Sequence, residues 1–111
     1  MDTPGSRQAE TLVPACATLV IQVAVDKREA LAVTARAAGS TIENPVSVRA
    51  RVTLPGGAWA EIDIPKFGEP PPLAIDVYST ADVADARAAA LSLAAALTER
   101  EGWTVHPDFP V

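Results

Sequence analysis

The sequence contains few of the residues on which most enzyme and metal chemistry depends. Its 111 residues include one cysteine, Cys16, and one histidine, His106. A single cysteine excludes an internal disulfide. One cysteine and one histidine also cannot supply the roughly four closely spaced ligands of a structural zinc site. We therefore predict no metal and no cofactor, and the lack of a disulfide framework leads us to expect a cytoplasmic protein.

Basic residues are scarce as well. Lysine occurs twice, at Lys27 and Lys66, and the formal net charge is −5. Proteins that bind nucleic acid or anionic membranes need clustered lysine and arginine to neutralise phosphates, so neither is an expected partner. The apolar run over residues 12–25 contains Pro14 and Gln22 and is too short to span a bilayer as a helix. A basic protein partner is compatible with this charge.

Known catalytic and nucleotide-binding motifs are missing from the sequence. There is no phosphate-binding glycine loop and no nucleophile elbow, and the double glycine Gly56-Gly57 fits a hairpin turn. A Cys16–His106 dyad would be the minimal nucleophilic arrangement. We expect the thiol to be buried at the start of a strand and the imidazole to lie in the tail, with nothing to bring them together. The sequence thus gives no catalytic residue, and we lean against an enzyme.

Length and composition indicate one small globular domain. Hydrophobic residues make up 49% of the chain and aromatic residues 5%, so the core consists mainly of alanine, valine, leucine and isoleucine. We assign residues 1–15 to a flexible leader, 16–105 to one domain and 106–111 to a C-terminal tail. A core with so few large side chains gives modest burial energy, and this favours help from a partner subunit.

The clearest pattern in the sequence is a β-hairpin over residues 46–64. Aliphatic residues alternate with polar ones in 46–54 and again in 58–64, as expected of strands with one buried face. Between them, Pro55–Gly57 fits a three-residue turn in which Gly57 is left-handed. Slipping this register by one residue would bury unpaired arginines. The predicted cross-strand pairs are Val52 with Ala60, Thr53 with Trp59, Arg51 with Glu61, Arg49 with Asp63, and Val48 with Ile64.

The remaining elements complete an α+β fold. Alternation predicts further strands near 18–25 and 73–78, and the four strands together form an antiparallel β-meander. A long C-terminal helix is predicted over about 80–101, with Ser79 or Thr80 as its N-cap. It packs on this sheet through a stripe of apolar residues along one side. Residues 27–38 are either a helix with an Asp26 cap and a Gly39 stop or a strand after a tight turn. The predicted stripe consists of Val83, Ala86, Ala90, Leu93, Ala94 and Leu97.

Two surfaces are candidates for binding. One is the outward face of the sheet, where aromatic and charged side chains share a side of the strands. The other is the far side of the C-terminal helix, which carries alanine where a solvated helix normally carries charge. The candidate ligand-binding residues on the sheet are Trp59, Asp76, Tyr78, Arg49 and Arg51. The candidate interface residues on the helix are Ala84, Ala88, Leu91 and Ala95.

These features favour a non-catalytic interaction or assembly module. We expect it to bind a protein partner or to self-associate as a homodimer, because it combines an acidic surface with an uncharged helix face and a thin core. The alternative is a small-molecule binding protein or minor enzyme that uses the outward sheet face around Trp59, Asp76 and Tyr78. If the segment 27–38 is a helix that crosses the outward face, a pocket could form beneath it.

Overall fold

A computed structural model of the chain describes residues 14–45, 47, 50–63 and 73–110. It shows an α+β fold in which one antiparallel sheet of six strands packs against a long C-terminal helix and one shorter helix. The elements in chain order are β1 (Ala15–Ile21), α1 (Lys27–Ala38), β2 (Ile42–Glu43), β3 (Arg51–Thr53), β4 (Trp59–Asp63), β5 (Leu73–Ser79), α2 (Val83–Glu101) and β6 (Val105–Pro107).

The strand order in the sheet is β2-β3-β4-β5-β1-β6. The predicted meander is confirmed for β3, β4 and β5, in which each strand pairs with the next along the chain. The short strand β2, which we did not predict, extends it by pairing with β3. Strand β1 lies beyond β5 and pairs with β5 on one side and β6 on the other. A strand with partners on both sides has its hydrogen-bonding groups satisfied within the sheet, which suits the buried position of Leu19 and Ile21.

Both helices cover the same face of the sheet, and the hydrophobic core lies between the two layers. Alternate residues of the strands point into it, as the period of two requires. From α2, the core receives Ala86, Ala90, Leu93 and Leu97, as the stripe predicts. Val83 was also predicted to pack there, but this is wrong, because the side chain lies in the first turn and remains 46% exposed. The inward strand residues include Ala17, Leu19, Ile21, Val52, Ala60, Ile62, Leu73, Ile75 and Val77.

The ambiguous segment 27–38 is the helix α1. The Asp26 carboxylate accepts a hydrogen bond from the Glu29 backbone N–H at 2.7 Å, which satisfies one of the free amides at the helix start. Gly39 ends the helix in the left-handed conformation with φ 65°, where a residue without Cβ is favoured. Helix α1 lies on the inner side of the sheet beside α2. The segment therefore does not cross the outward face.

Helix α2 begins later than predicted. Its N-cap is Asp82, whose carboxylate accepts from the Asp85 N–H at 2.7 Å. Neither Ser79 nor Thr80 is the cap, because β5 continues through Ser79. The Ser79 hydroxyl instead accepts from the Ala81 N–H at 3.0 Å and donates to the Asp85 carboxylate at 2.6 Å. These bonds join the end of the strand to the first turn of the helix, and the predicted stop at Gly102 is confirmed.

The central hairpin has the predicted register over the described residues. Arg51 lies opposite Glu61, Val52 opposite Ala60 and Thr53 opposite Trp59. The Leu54 N–H donates to the Ala58 carbonyl at 2.9 Å and closes the turn. The pairs predicted for Val48 and Arg49, the leader up to residue 13 and the proline-rich loop 66–72 lie outside the described residues.

The C-terminal edge strand extends into the segment 106–111 that we assigned to the tail. Strand β6 includes His106 and Pro107 and places them opposite Val20 and Leu19. The Asp108 N–H then donates to the Thr18 carbonyl at 2.9 Å. Phe109 is half-buried against the core. The first residues of this segment, 106–108, thus lie along β1 and are held to it by hydrogen bonds.

None of the helices in the described part of the chain has both the length and the apolar character that crossing a bilayer requires.

We predict that Gly57→Val destabilises the domain by about 1 kcal/mol or more, because a β-branched residue resists a left-handed backbone. Gly57 has φ 83°, and a Cβ placed there meets no neighbouring atom, so the cost is conformational rather than steric. Chemical unfolding measures it. Thr104→Val, which adds an exposed valine at an ordinary position, is the control. Equal stability of Gly57→Val and the control would contradict the turn assignment.

Candidate functional site

The outward face of the sheet carries two neighbouring rows of side chains that run across the strands. The strand registers fix their order, since each row follows residues that lie directly opposite one another. We call these the aromatic row and the charged row. The aromatic row consists of Thr53, Trp59, Tyr78 and Cys16. The charged row consists of Glu43, Arg51, Glu61, Asp76 and Thr18.

Three planar groups stack at the centre of this face. The Trp59 and Tyr78 rings have centroids 5.6 Å apart and an interplanar angle of 20°. The guanidinium of Arg51 lies over the Trp59 ring, 4.7 Å from its centroid. Aromatic pairs contribute about 0.5–1.5 kcal/mol beyond burial, and an exposed cation–π contact about 0.5–1 kcal/mol. The stack therefore holds three side chains in one arrangement while they stay partly exposed to solvent.

Hydrogen bonds from the charged row fix the stack further. The Trp59 Nε1–H donates to Glu61 at 3.0 Å, and the Arg51 Nε donates to Glu43 at 2.9 Å. Arg51 lies opposite Glu61 as predicted, but it forms its ion pair with Glu43 rather than with Glu61. Strand β2 brings Glu43 opposite Arg51 on its other side. Because Arg51 is bound there and lies over Trp59, Glu61 instead accepts the indole N–H.

The other end of the charged row joins β1 to β5. The Thr18 hydroxyl donates to the Asp76 carboxylate at 2.7 Å. The Cys16 sulfur lies 3.9 Å from the same hydroxyl oxygen and opposite Tyr78 in the register. Cys16 and Thr18 thus belong to this surface, although we did not predict them there.

The environment of the stack favours the neutral form of Tyr78. Partial burial of the phenol is the main cause that raises the pKa of Tyr78 to about 12, and the negative charge of Asp76 adds to it. Both effects disfavour a phenolate. Tyr78 is therefore a hydrogen-bonding phenol near neutral pH rather than a general base.

Cys16 has the wrong surroundings for a nucleophile. The residue is exposed, which corrects the expectation of a buried thiol. Its sulfur is still partly desolvated by its neighbours, and this is the largest cause that raises the pKa of Cys16, with Asp76 adding a smaller contribution. Reactive cysteines need a lowered pKa beside a cation or a helix N-terminus. The thiol thus stays protonated near neutral pH.

His106 does not meet Cys16. It lies opposite Val20 on β6, and Val20 is four residues from Cys16 along β1, or roughly 13 Å at strand spacing. The distance is too long for a thiol–imidazole pair. Among the described residues, no group of three or more histidine, cysteine or carboxylate side chains has an arrangement that could hold a metal ion.

Four of the five sheet residues predicted from the sequence come together on this face: Arg51, Trp59, Asp76 and Tyr78. Arg49 lies outside the described residues. The sequence reasoning missed Cys16, Thr18 and Glu43. Alternation along β1 carried a signal for the first two, since Leu19 and Ile21 point inward and every second residue from Cys16 must then point outward. No comparable signal marked Glu43, which lies in a strand of two residues.

The far side of α2 is a second exposed surface. Its predicted interface residues, Ala84, Ala88, Leu91 and Ala95, all lie in contact with solvent, and Leu91 is 41% exposed. Beside it, a groove of about 320 Å³ lies between α2, the end of α1 and the hairpin turn. Asp85 and Arg100 line this groove and lie fifteen residues apart, or roughly 22 Å along a helix.

Two side-chain contacts hold the C-terminal ends of the helices together. Arg36 of α1 forms an ion pair with Glu101 of α2 at 2.7 Å, and this hydrogen bond lowers the pKa of Glu101. The Arg100 guanidinium donates to the Ala37 carbonyl at 3.1 Å. The bonds fix the shape of the groove at the end where Arg100 lies.

Comparison of the chain with protein-family models, with curated proteins and with solved structures finds no match. The function therefore has to be argued from the surfaces themselves.

We predict that stability decreases as the pH rises from about 10 to about 12, because folding holds the pKa of Tyr78 at about 12 whereas an unfolded tyrosine ionises near 10. The stability that comes from keeping Tyr78 neutral in the folded state is fully present below about pH 10. It is lost as the pH rises through the folded pKa of about 12. Urea unfolding at several pH values measures the decrease, and Tyr78→Phe is the matched control. The same slope in both proteins would contradict the assignment.

Proposed function

We propose that this protein is a non-catalytic interaction module whose main partner surface is the outward sheet face around Trp59 and Tyr78. The observation that carries the proposal is the stack of Arg51, Trp59 and Tyr78 on a face that neither helix covers. Tryptophan, tyrosine and arginine are the residues most enriched where protein interfaces concentrate their binding energy. A partner would meet all three within one surface.

The stack is also ordered before a partner arrives. Its rings contact one another, and hydrogen bonds to Glu61 and Glu43 hold the indole and the guanidinium. Side chains that are already fixed lose little conformational entropy on binding. Residues on strands are moreover held more rigidly than residues on loops.

The chemistry of this face does not favour catalysis. The raised pKa values of Tyr78 and Cys16 keep both groups protonated near neutral pH, so neither serves as a base or nucleophile there. For the alternative of a small-molecule site on the same face, α1 does not form a pocket over Trp59, because it packs on the inner layer. Protein contact is the use that a broad, open face supports better.

We also propose that the protein forms a homodimer through the far side of α2. An antiparallel pair of α2 helices would bring the small residues Ala88 and Ala95 of the two copies together and allow close approach of the helix axes. The same arrangement places Asp85, near the start of one helix, beside Arg100, near the end of the other. The charges are thus complementary in this orientation and opposed in a parallel one.

A cytoplasmic location stays part of the proposal. It is supported by the exposed and unpaired thiol of Cys16, since reducing compartments maintain such thiols. Fractionation of the source cells tests it.

For the sheet face, we predict that Trp59→Ala removes a partner that the wild-type protein captures from a lysate of its source cells. Truncating a central interface residue costs about 2 kcal/mol or more, or about thirtyfold in affinity. Trp59→Leu, which keeps apolar bulk, serves where the alanine variant is unstable. Thr98→Ala, an exposed change on α2, is the control. Capture of the same partner by all variants would contradict this use of the sheet face.

For the helix face, we predict that Ala88→Glu converts a concentration-dependent dimer into a monomer, because it introduces like charges at the centre of the contact. Sedimentation over a dilution series measures the change. Thr104→Glu adds the same charge at an exposed position off the helix and should leave the dimer intact. A wild-type protein that stays monomeric at every concentration would remove the proposal.

A further inference from the structure

Two carboxylates of the charged row lie in an unfavourable position. Glu61 and Asp76 are directly opposite one another on β4 and β5, and like charges in such a pair destabilise a sheet. Arg51 lies opposite Glu61 but forms its ion pair with Glu43. In the described part of the chain, neither carboxylate of the opposed pair forms an ion pair with a basic side chain.

Each carboxylate nevertheless keeps capacity to accept further hydrogen bonds. Glu61 accepts from Trp59 through Oε2, and Asp76 accepts from Thr18 through Oδ1. A carboxylate has about four acceptor positions, so both retain positions for a donor that arrives from outside. Both residues are only partly buried, and solvent reaches the face on which they lie.

Arg51 shows how this surface binds a cation. Its guanidinium lies on the face of Trp59, at 4.7 Å from the ring centroid, while its Nε donates to Glu43 at 2.9 Å. One ring and one carboxylate from neighbouring rows thus bind one arginine. Tyr78 and Asp76 also supply one ring and one carboxylate from the two rows, although here both lie on β5.

We propose that the outward sheet face recognises a protein segment that presents an arginine side chain to Glu61 and Asp76 beside the Tyr78 ring. The inference rests on the proposed function of this face and specifies the chemistry of its partner. A guanidinium bonds carboxylates with directed donors and stacks on aromatic rings. It would separate the two opposed carboxylates by a positive charge and relieve their repulsion.

The same charges argue against a second copy of the chain as the occupant. Facing two copies of this surface would bring Glu61, Asp76 and Glu43 of one copy towards those of the other. Like charges across an interface disfavour association. A basic segment of another protein fits the negative surface, and the net charge of −5 attracts it from a distance.

A fluorescence titration of the full chain with a defined probe tests the proposal. The probe is a synthetic peptide of alternating glycine and arginine with four arginines, and Trp59 emission is read in a Trp103→Phe background, because the chain has two tryptophans. We expect a saturable change. The same peptide with citrulline at each arginine keeps the shape without the charge and should produce none.

Variants locate the binding on this face. Glu61→Gln and Asp76→Asn each remove one charge and keep an oxygen that accepts the existing hydrogen bond. We expect each to weaken peptide binding about fivefold or more, and to raise the melting temperature of the free protein because the repulsion is gone. Glu99→Gln, which removes an exposed charge on α2, reduces the net negative charge equally and should change neither the binding nor the melting temperature.

Equal weakening by all three variants would indicate attraction to net charge and overturn the proposal. So would binding of the citrulline peptide, or an absence of peptide binding. The outcome can be separated from that of the proposed function. If the arginine peptide does not bind but partner capture still depends on Trp59, the face is an interaction surface for another chemistry and this inference alone is wrong.

Discussion

The structure depends on the burial of one aliphatic face of the sheet beneath two helices. Leu19, Ile75 and Val77 are fully buried in the centre of that layer, and each large aliphatic side chain contributes about 1.5–3 kcal/mol when it leaves water. Alanines of α2, such as Ala86 and Ala90, let the helix approach the strands closely. The two layers are therefore held by many modest contacts, with few large side chains among them.

This burial also determines what the opposite face can be. Since alternate residues of a strand point to opposite sides, every strand that places an aliphatic residue inward leaves its neighbours outward. The outward positions of the central strands carry Trp59, Glu61, Asp76 and Tyr78, which are not needed for the core. They form an ordered surface of stacked rings and carboxylates, and that surface is the basis of the function we propose.

Much of the fold follows from local patterns in the sequence. The alternation in residues 46–64 predicts the register of β3 with β4, and the Asp26 and Gly39 signals suit both ends of α1. The start of α2 was placed too early, because Ser79 resembles a cap by residue type but belongs to β5. Most of the sheet site could likewise be predicted, since Trp59, Asp76 and Tyr78 alternate along their strands with the aliphatic residues that point inward.

The sequence by itself determined which residues of each strand share a face, because that depends only on alternation along the chain. The tertiary structure decided which strands become neighbours. It brought β1 beside β5, so that Cys16 and Thr18 joined the site, and it placed Glu43 next to Arg51, so that Glu61 lost its expected partner. Such pairings depend on contacts between residues far apart in sequence, in the Thr18–Asp76 case 58 positions, and no local pattern specifies them.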